Sequence, residues 1–372
     1  MTFQEDEYLD LVNPHILKIS PYVPGKPIEE VQREFGLKEV HKLASNESAV
    51  GTSRLAMAAI RKVLDDLYLY PDSNNYYLKQ RLSQHFSLPP DHFLVAGGSV
   101  EILYFIAVAL LSKQDEAVTG IPSFAMYPIV TQMVDATLVK VGLRNDCLDL
   151  EAMAEAITDR TKIVFIANPN NPTGTIVTAS QVRSFMAKVP PRVLVVFDEA
   201  YFDFVESTEY PDCFEYLQQG RRVLLLRTFS KNYGLAGARV GYAIGAPGLI
   251  RIIERVQPPF NVSTPAQVAA IAAFDDRDHL EETRKVTWKE KQFLYEGFMK
   301  LGIEFAPTES NFIYVRSPIP VQVLFYQLLT EGVVIRPVGP MAPNHVRISI
   351  GNRMNNTFLL ESLGKILTQV SR

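Results

Sequence analysis

Four groups of polar residues stand directly after apolar runs in the middle of this sequence, where their side chains could act on one ligand. They are Gly97-Gly98-Ser99, Asn170-Asn171-Pro172-Thr173-Gly174, Asp198-Glu199-Ala200-Tyr201, and Ser230-Lys231 with Arg239 eight residues later. Ligands of open parallel sheets bind beyond the carboxyl ends of the strands, so these groups are expected to meet at one sheet edge. Taken singly, each group also fits a structural role, since the first two are common turn sequences and a lysine or arginine is often a surface charge.

A pyridoxal phosphate cofactor would need all four groups together. Its aldehyde requires a lysine amine, which Lys231 could supply. Its pyridine nitrogen requires a carboxylate such as Asp198, which keeps the nitrogen protonated and makes the ring an electron sink. Asn171 and Tyr201 could donate hydrogen bonds to the phenolic oxygen O3′. These residue types in this order therefore indicate pyridoxal chemistry.

The phosphate of such a cofactor would need backbone N–H groups at the start of a helix, together with a guanidinium group. Gly98-Ser99 opens the helical run SVEILYFIAVALL, so its backbone donors would point out of a helix start. Ser230 and Arg239 flank the lysine and could complete the binding site for the phosphate.

Three other kinds of site lack the motifs that they require. The segment VLVVFDEA resembles the acidic strand end of a P-loop ATPase, but the sequence has no G-x-x-x-x-G-K-[ST] loop, and Gly25-Lys26 is followed by proline. The six histidines form no H-x-x-x-H pair, so no metal site is predicted. The G-x-S-x-G elbow of serine hydrolases is also missing.

Seven apolar runs predict the strands that position these residues. They are Phe93–Ala96, Ala117–Thr119, Leu138–Val141, Ile163–Ala167, Val193–Phe197, Val223–Leu226 and Arg239–Ile244. Runs such as VLVVF and KIVFIA are apolar without alternation, as expected of strands that are covered on both faces. Helices are predicted between them, for example after the capping box that begins at Thr178. The pattern predicts an α/β domain with a mostly parallel sheet flanked by helices.

A smaller α+β domain is predicted in the last part of the chain. The segment Thr264-Pro265-Ala266-Gln267 has the sequence of a second capping box, with proline at the first helical position. It predicts a long helix through about residue 300. Strands are then predicted at Asn311–Val315, Val333–Arg336 and His345–Ile350. We therefore predict three parts: an amino-terminal arm that contributes to the small domain (1–50), a large cofactor-binding domain (51–275) and the small domain (276–372).

The composition points to a cytoplasmic protein that binds neither nucleic acid nor a membrane. The net charge of −4 offers no basic surface for nucleic acid. The amino terminus is acidic rather than basic and apolar, as a signal peptide would be. The longest apolar run, Ile102–Leu111, is far shorter than the roughly 20 residues that span a bilayer. Two cysteines without a C-x-x-C motif fit a reducing compartment.

Stretches along almost the whole chain resemble the fold-type-I aminotransferases, and within them the histidinol-phosphate aminotransferase branch. They are LASNES (43–48), YPD (70–72), GGSVEIL (97–103), IPSFAMY (121–127), NPNNPTG (168–174), VVFDEAYFDF (195–204), RTFSKNYGLAGARVGY (227–242), PFNVSTPAQ (259–267), ESNFIYV (309–315), VVIRP (333–337) and PNHVRISIG (343–351). The stretch around Lys231 is the most specific of them.

This resemblance implies catalytic roles for the matching residues. Lys231 would carry pyridoxal 5′-phosphate as a Schiff base and would act as the base that moves the substrate's Cα proton. Asp198 would contact the pyridine nitrogen, while Tyr201 and Asn171 would contact O3′. Phe124 would stack on the cofactor ring, in a position that the family fills with an aromatic residue.

The resemblance also implies how the anionic groups are held. The cofactor phosphate would be bound by Ser99, Val100, Ser230 and Arg239 of one chain and by Tyr70 of the neighbouring one, which implies an obligate homodimer with shared active sites. The anionic groups of the substrates would be bound by Tyr22, Asn171, Arg336 and Arg347.

The implied reaction transfers the amino group of L-histidinol phosphate to 2-oxoglutarate, in histidine biosynthesis. An aromatic amino-acid aminotransferase of the same branch is the nearest alternative. A phosphothreonine-type decarboxylase of the same fold would carry Pro-Gly where this chain has Ala236-Gly237. A transcriptional regulator with an aminotransferase-like domain would need a DNA-binding helix-turn-helix, for which residues 1–30 are too short and too acidic.

Overall fold

A seven-stranded sheet lies at the centre of the computed structural model, which describes residues 8–22 and 24–370. Residues 1–7, Val23 and 371–372, which fall in the predicted arm and small domain, lie outside the described residues. The strands of the described part are β1 His41–Lys42, β2 Phe93–Ala96, β3 Glu116–Ile121, β4 Thr137–Gly142, β5 Thr161–Ala167, β6 Leu194–Asp198, β7 Val223–Thr228, β8 Gly241–Gly245, β9 Phe305–Ala306, β10 Phe312–Arg316, β11 Val333–Val334, β12 Arg336–Pro337 and β13 His345–Ser349.

Helices cover this sheet and build the rest of the molecule. In the described part they are α1 Ile28–Phe35, α2 Arg54–Lys62, α3 Tyr76–Phe86, α4 Ser99–Leu110, α5 Met126–Met133, α6 Leu150–Glu155, α7 Ala179–Lys188, α8 Phe214–Gln218, α9 Pro247–Ile253, α10 Thr264–Asp275, α11 Arg277–Lys300, α12 Val321–Thr330 and α13 Arg353–Val370. None of these helices is long and apolar enough to cross a bilayer.

The central sheet is mostly parallel, as predicted. Its strand order is β2-β8-β7-β6-β5-β3-β4, and only β8 runs in the direction opposite to the other strands. The carboxyl ends of β5, β6 and β7 therefore lie side by side at one edge. Asn171, Asp198 and Lys231 stand at or just beyond these three ends.

Both faces of the sheet are buried, which explains why its strands are apolar without alternation. In β6, Val195 and Phe197 pack into the core on one face, whereas Leu194 and Val196 pack into the core on the other. Burying one such side chain contributes about 1.5–3 kcal/mol to folding. The sheet edge that carries the polar residues is thus a rigid support.

Two smaller sheets lie in the carboxyl-terminal part. Strands β12, β13, β10 and β9 form an antiparallel sheet in that order. Strand β1, which lies within the predicted amino-terminal arm, pairs in parallel with β11, so this part of the arm is joined to the carboxyl-terminal part of the chain. The boundaries at residues 50 and 275 remain a prediction.

Three predicted elements differ from the structure. The strand predicted at Val333–Arg336 is wrong as one element, because β11 and β12 belong to different sheets. The strand predicted from Arg239 begins only at Gly241, since Arg239 adopts a left-handed backbone with φ of 57°. The helix predicted from Thr264 to about residue 300 is two helices, because Asp276 caps α11 by accepting a hydrogen bond from His279 N at 3.2 Å.

The two capping boxes have different outcomes. Thr178 accepts from the N–H of Gln181, and the Gln181 side chain accepts from the N–H of Thr178, so the first box is confirmed. The second is wrong, because the N-cap of α10 is Ser263, which accepts from Ala266 N at 3.3 Å. Thr264 and Pro265 are already inside that helix.

Candidate active site

A cavity of about 270 Å³ lies at the carboxyl edge of the central sheet. It brings together every predicted site residue except Tyr70: its lining includes Tyr22, Ser99, Val100, Phe124, Asn171, Asp198, Tyr201, Ser230, Lys231, Arg239, Arg336 and Arg347. No group of three metal-ligating side chains was found in residues 8–22 and 24–370.

Lys231 presents its amine inside this cavity, just after β7. Its Nζ donates to the carbonyl oxygens of Ser45 at 3.1 Å and Asn46 at 3.2 Å. Desolvation, with a smaller contribution from the nearby positive charge of Arg347, lowers the pKa of Lys231 to about 7. A large fraction of this amine is therefore neutral near pH 7, as a nucleophile or a base must be.

Asp198 is the last residue of β6 and is almost fully buried. The hydroxyl of Tyr127 donates to its Oδ2 at 3.1 Å, and Ala200 N donates to its Oδ1 at 3.2 Å. Burial raises the pKa of Asp198 to about 6, although both hydrogen bonds favour the ionised form. A cation beside this carboxylate would reverse that shift, so a protonated pyridine nitrogen fits here.

The structure adds Tyr127 as a residue that the sequence analysis did not single out. It lies on α5 at 0% exposure, and its ring stacks on Phe165 with a centroid distance of 4.7 Å. The stretch IPSFAMY contains Tyr127, but an aromatic residue on a buried helix face gives no further sign of a polar role.

Tyr201 and Asn171 line the same cavity as the Asp198 carboxylate. The Tyr201 hydroxyl accepts from Asn46 Nδ2 at 2.9 Å. Asn171 Oδ1 accepts from Arg347 Nη1 at 2.8 Å, which leaves the Asn171 amide nitrogen to donate to a ligand. Burial raises the pKa of Tyr201, so its phenol remains protonated.

One end of the cavity is built to hold an anion. Helix α4 begins at Ser99, and Gly98 before it has φ of 96°. Arg239 donates to Ser230 Oγ at 3.4 Å and to Gly97 O at 3.2 Å. The left-handed backbone of Gly98 favours glycine, and a Cβ atom there would lie 2.6 Å from Arg239 Nη2 and would displace this guanidinium group. A helix start beside a guanidinium group suits a phosphate.

A second cationic group lines the cavity from the four-stranded sheet. Arg336 on β12 and Arg347 on β13 are paired directly across the two strands. The guanidinium of Arg336 lies 5.1 Å from the ring centre of Tyr22, and Arg347 Nη2 donates to Ala44 O at 2.6 Å. Within the described residues neither arginine has a carboxylate partner, and Arg347 Nε has no hydrogen-bond partner. This end of the cavity therefore suits an anionic substrate.

Tyr70 lies outside the cavity of its own chain. Its side chain is 82% exposed, and its ring stacks on Phe260 with a centroid distance of 4.6 Å. Its neighbours Leu67, Tyr68 and Leu69 are also more than half exposed.

These groups fit pyridoxal phosphate. The amine of Lys231, the carboxylate of Asp198 and the phenol of Tyr201 share one cavity with the anion site formed by the start of α4 and Arg239. The buried carboxylate, whose pKa is raised, is suited to a cationic ring nitrogen rather than to solvent.

Comparison with known proteins gives consistent matches. The family model for aminotransferase class I and II matches residues 38–363. The chain is 46% identical to the histidinol-phosphate aminotransferase of Moorella thermoacetica, over 95% of this chain and 92% of that protein. It is 44% identical to histidinol-phosphate aminotransferase 2 of Pseudomonas fluorescens, over 98% and 99%. The crystal structure of histidinol-phosphate aminotransferase from Sinorhizobium meliloti in complex with pyridoxal-5′-phosphate matches with a TM-score of 0.88 and 28% identity, over 95% of this chain and 97% of that chain.

Proposed function

The chain belongs to the class I and II aminotransferases, and we propose that it transfers the amino group of L-histidinol phosphate to 2-oxoglutarate with pyridoxal 5′-phosphate as its cofactor. The products are imidazole acetol phosphate and L-glutamate, and the reaction is a step of histidine biosynthesis. The observation that carries the choice of donor is the pair Arg336 and Arg347, which face the cavity without carboxylate partners within the described residues. A donor that carries a phosphate supplies the anion that this pair requires.

Each part of the cavity would hold one part of the cofactor. When bound, the cofactor withdraws electrons from the carbon that carries the substrate's amino group and so makes its proton acidic. Lys231 would hold the cofactor through its amine, and the same amine, with a pKa of about 7, would accept that proton. Asp198 would keep the proton on the pyridine nitrogen, while Tyr201 and Asn171 would donate to O3′.

The ring and the phosphate would be held by the remaining residues. Phe124 lines the cavity and would stack on the ring. Ser99, Val100, Ser230 and Arg239 surround the anion site described above and would bind the phosphate. The Arg239 guanidinium would supply a fixed, fully charged partner for it.

The same arginines would serve both substrates in turn. Arg347 would bind the carboxylate of glutamate and 2-oxoglutarate, because its guanidinium is already aligned by Asn171 and Ala44. The phosphate of histidinol phosphate would be shared among Arg347, Arg336 and Tyr22. Since the two substrates are both anionic at this end, one site can accept both.

Arg336→Ala is expected to separate the proposed donor from the aromatic alternative. The variant should lower kcat/KM for histidinol phosphate by about 10-fold or more, the scale of a hydrogen bond to a charged group. Phenylalanine should lose much less, because it offers no second anion to Arg336. The measurement is the half-reaction of each donor with purified enzyme.

Arg316→Ala is the matched control for this experiment. Arg316 lies on β10 of the same sheet and pairs with Glu304 at the surface, at 3.1 Å. It should leave both donors unchanged. Equal losses for both donors in Arg336→Ala would assign Arg336 a structural role and would favour an aromatic amino-acid aminotransferase.

The proposed enzyme is a homodimer whose active sites are shared. This proposal is supported by a patch of exposed apolar side chains beside α3: Leu67 is 58% exposed, Tyr68 81%, Tyr70 82% and Tyr77 72%. Contiguous exposed apolar side chains are typical of interaction surfaces. Tyr70 does not line the cavity of its own chain, and its hydroxyl would reach the cofactor phosphate of the other subunit.

Mixing two variants should restore activity if the sites are shared. A Lys231→Ala chain and a Tyr70→Phe chain are each impaired in both sites of their own homodimer, but a heterodimer would contain one site with both residues intact. Loss of the phosphate hydrogen bond should weaken the Tyr70→Phe enzyme by about 10-fold or more. Activity of the mixture is measured after co-refolding and compared with the average of the unmixed variants. A fully active monomer in sedimentation at assay concentration would contradict the proposal.

We also place the enzyme in the cytoplasm. Cys147 and Cys213 are both free thiols in the described part of the chain, which fits a reducing compartment. A biosynthetic reaction on small phosphorylated and carboxylic substrates also suits this compartment.

A further inference from the structure

Asn46 lies where three separate parts of the chain meet, and neither the family match nor the cofactor chemistry assigns it a role. It is 1% exposed and adopts a left-handed backbone with φ of 56°. Its carbonyl oxygen accepts from Lys231 Nζ at 3.2 Å and from Asn311 Nδ2 at 3.1 Å. Its side chain bonds to Tyr201 and Ser349, which are far apart in sequence. Asparagine adopts this left-handed conformation more readily than most residues other than glycine, and these contacts fix the orientation of its side chain.

The hydrogen bonds around Asn46 have a defined direction. The backbone N–H of Asn46 donates to Ser349 Oγ at 2.8 Å, so the hydroxyl hydrogen of Ser349 is free to be donated elsewhere. That hydroxyl donates to Asn46 Oδ1 at 2.9 Å. With Oδ1 an acceptor, the other end of the amide is the Nδ2 group, which donates to the Tyr201 hydroxyl at 2.9 Å. Each hydrogen bond in this series therefore determines the donor and acceptor of the next one.

The last member of the series is the phenol of Tyr201. Because its oxygen accepts from Asn46, its hydrogen cannot be given to Asn46 and is left for the cavity. Both Ser349 and Asn46 are buried, so water does not compete for these bonds.

We propose that Asn46 and Ser349 are positioning residues that turn the hydroxyl hydrogen of Tyr201 into the cavity, so that Tyr201 donates to the phenolic oxygen of the cofactor. This proposal rests on the proposed function, because it concerns how that cofactor is held. It gives the LASNES stretch a chemical role: the amide of Asn46 decides whether Tyr201 is a donor or an acceptor.

Asn46→Asp tests the direction of the bonds with almost no change of shape. A carboxylate can accept from Ser349 and from Tyr201 but donates to neither, so it would take the phenol hydrogen out of the cavity. The apoprotein of each variant is titrated by equilibrium dialysis with pyridoxal phosphate and with its 3-deoxy analogue, which lacks the phenolic oxygen. Affinity for pyridoxal phosphate should fall by about 10-fold relative to the analogue.

Ser349→Ala tests the same series without adding charge. It removes the group that orients the Asn46 amide and should produce a smaller loss in the same direction, about two- to tenfold. Ser310→Ala is the matched control, because Ser310 is 2% exposed on the same part of the chain and its hydroxyl donates to Phe312 O rather than to the series. It should bind the two compounds in the wild-type ratio.

Repeating Asn46→Asp in a Tyr201→Phe variant distinguishes an effect on the orientation of the Tyr201 hydroxyl from direct repulsion between the new carboxylate and the cofactor. If Asn46 acts through the phenol, the change in ratio caused by Asn46→Asp should disappear in Tyr201→Phe. A ratio that stays at the wild-type value in Asn46→Asp and Ser349→Ala, or a change that persists in Tyr201→Phe, would overturn the positioning role while leaving the proposed function intact. A wild-type apoprotein that binds neither compound would instead overturn the proposed function.

Discussion

Lys231→Ala is expected to lower turnover by about 10⁴-fold or more, because one amine both holds the cofactor and moves the substrate's proton. The structure places this amine in a desolvated cavity where its pKa is about 7. Steady-state rates with histidinol phosphate and 2-oxoglutarate measure the loss. As a control, Lys162→Ala removes a lysine that pairs with Asp115 at the opposite edge of the sheet and should leave turnover intact.

Borohydride reduction gives a second test of the same assignment. In the wild-type enzyme it should fix about one pyridoxyl group per chain on Lys231, which peptide mass spectrometry locates. A reduced cofactor on any other lysine would contradict the assignment of Lys231 as the Schiff-base residue.

Lys231→Ala should not destabilise the apoprotein, although it abolishes most of the activity. Between pH 7 and about 10 the unfolded chain holds a proton on Lys231 that the folded chain has lost, so the wild-type apoprotein should gain stability from this residue as pH rises. In Lys231→Ala, the increase of apoprotein stability between pH 7 and about 10 should be smaller by this contribution. At pH 7 the variant should melt no lower than wild type, because a desolvated amine has been removed.

Asp198→Asn is expected to have the second largest effect on turnover, a loss of about 100- to 1000-fold. A neutral amide cannot keep a proton on the pyridine nitrogen, so the electron-withdrawing power of the bound ring falls. The matched control is Asp203→Asn. Asp203 is another carboxyl group whose pKa is raised by burial, but it does not line the cavity, so this variant should keep its activity.

The pH dependence of the melting temperature of the apoprotein tests the raised pKa of Asp198 independently of turnover. Since the folded-state pKa of Asp198 is about 6 and the unfolded value is near 4, this residue reduces stability as pH rises through that interval. Asp198→Asn should remove this contribution and raise the melting temperature of the apoprotein above pH 6. A variant that keeps full turnover would exclude Asp198 as the partner of the ring nitrogen.

The large sheet and most of the cavity could be predicted because their signals are local. Lys231, Asp198 and Asn171 directly follow apolar runs, and a parallel sheet brings such positions to one edge whatever the loops do. The unbroken apolar character of β6 likewise reports burial on both faces without any knowledge of what covers it.

Other features depend on partners that are distant in sequence. Asn46 forms hydrogen bonds with residues that are 155 and 303 positions away, and no local pattern identifies these partners. Arg239 was expected to begin a strand, but contacts to Gly97 and Ser230 hold it in a turn. The break before α11 had a local signal, the cap formed by Asp276, which the apolar pattern of the surrounding helices concealed.

The cross-strand pair of Arg336 and Arg347 gives the cavity a way to reject ligands as well as to bind them. Like charges directly opposite on neighbouring strands repel, and Arg347 is partly buried, so that desolvation and then Arg336 lower its pKa. An anionic substrate group offsets this repulsion, whereas an amine with a neutral or cationic tail leaves it in place. Binding of histidinol without its phosphate, or of lysine, would thus be disfavoured because neither places an anionic group between the two arginines. Selectivity against such amines requires no steric clash with the cavity wall.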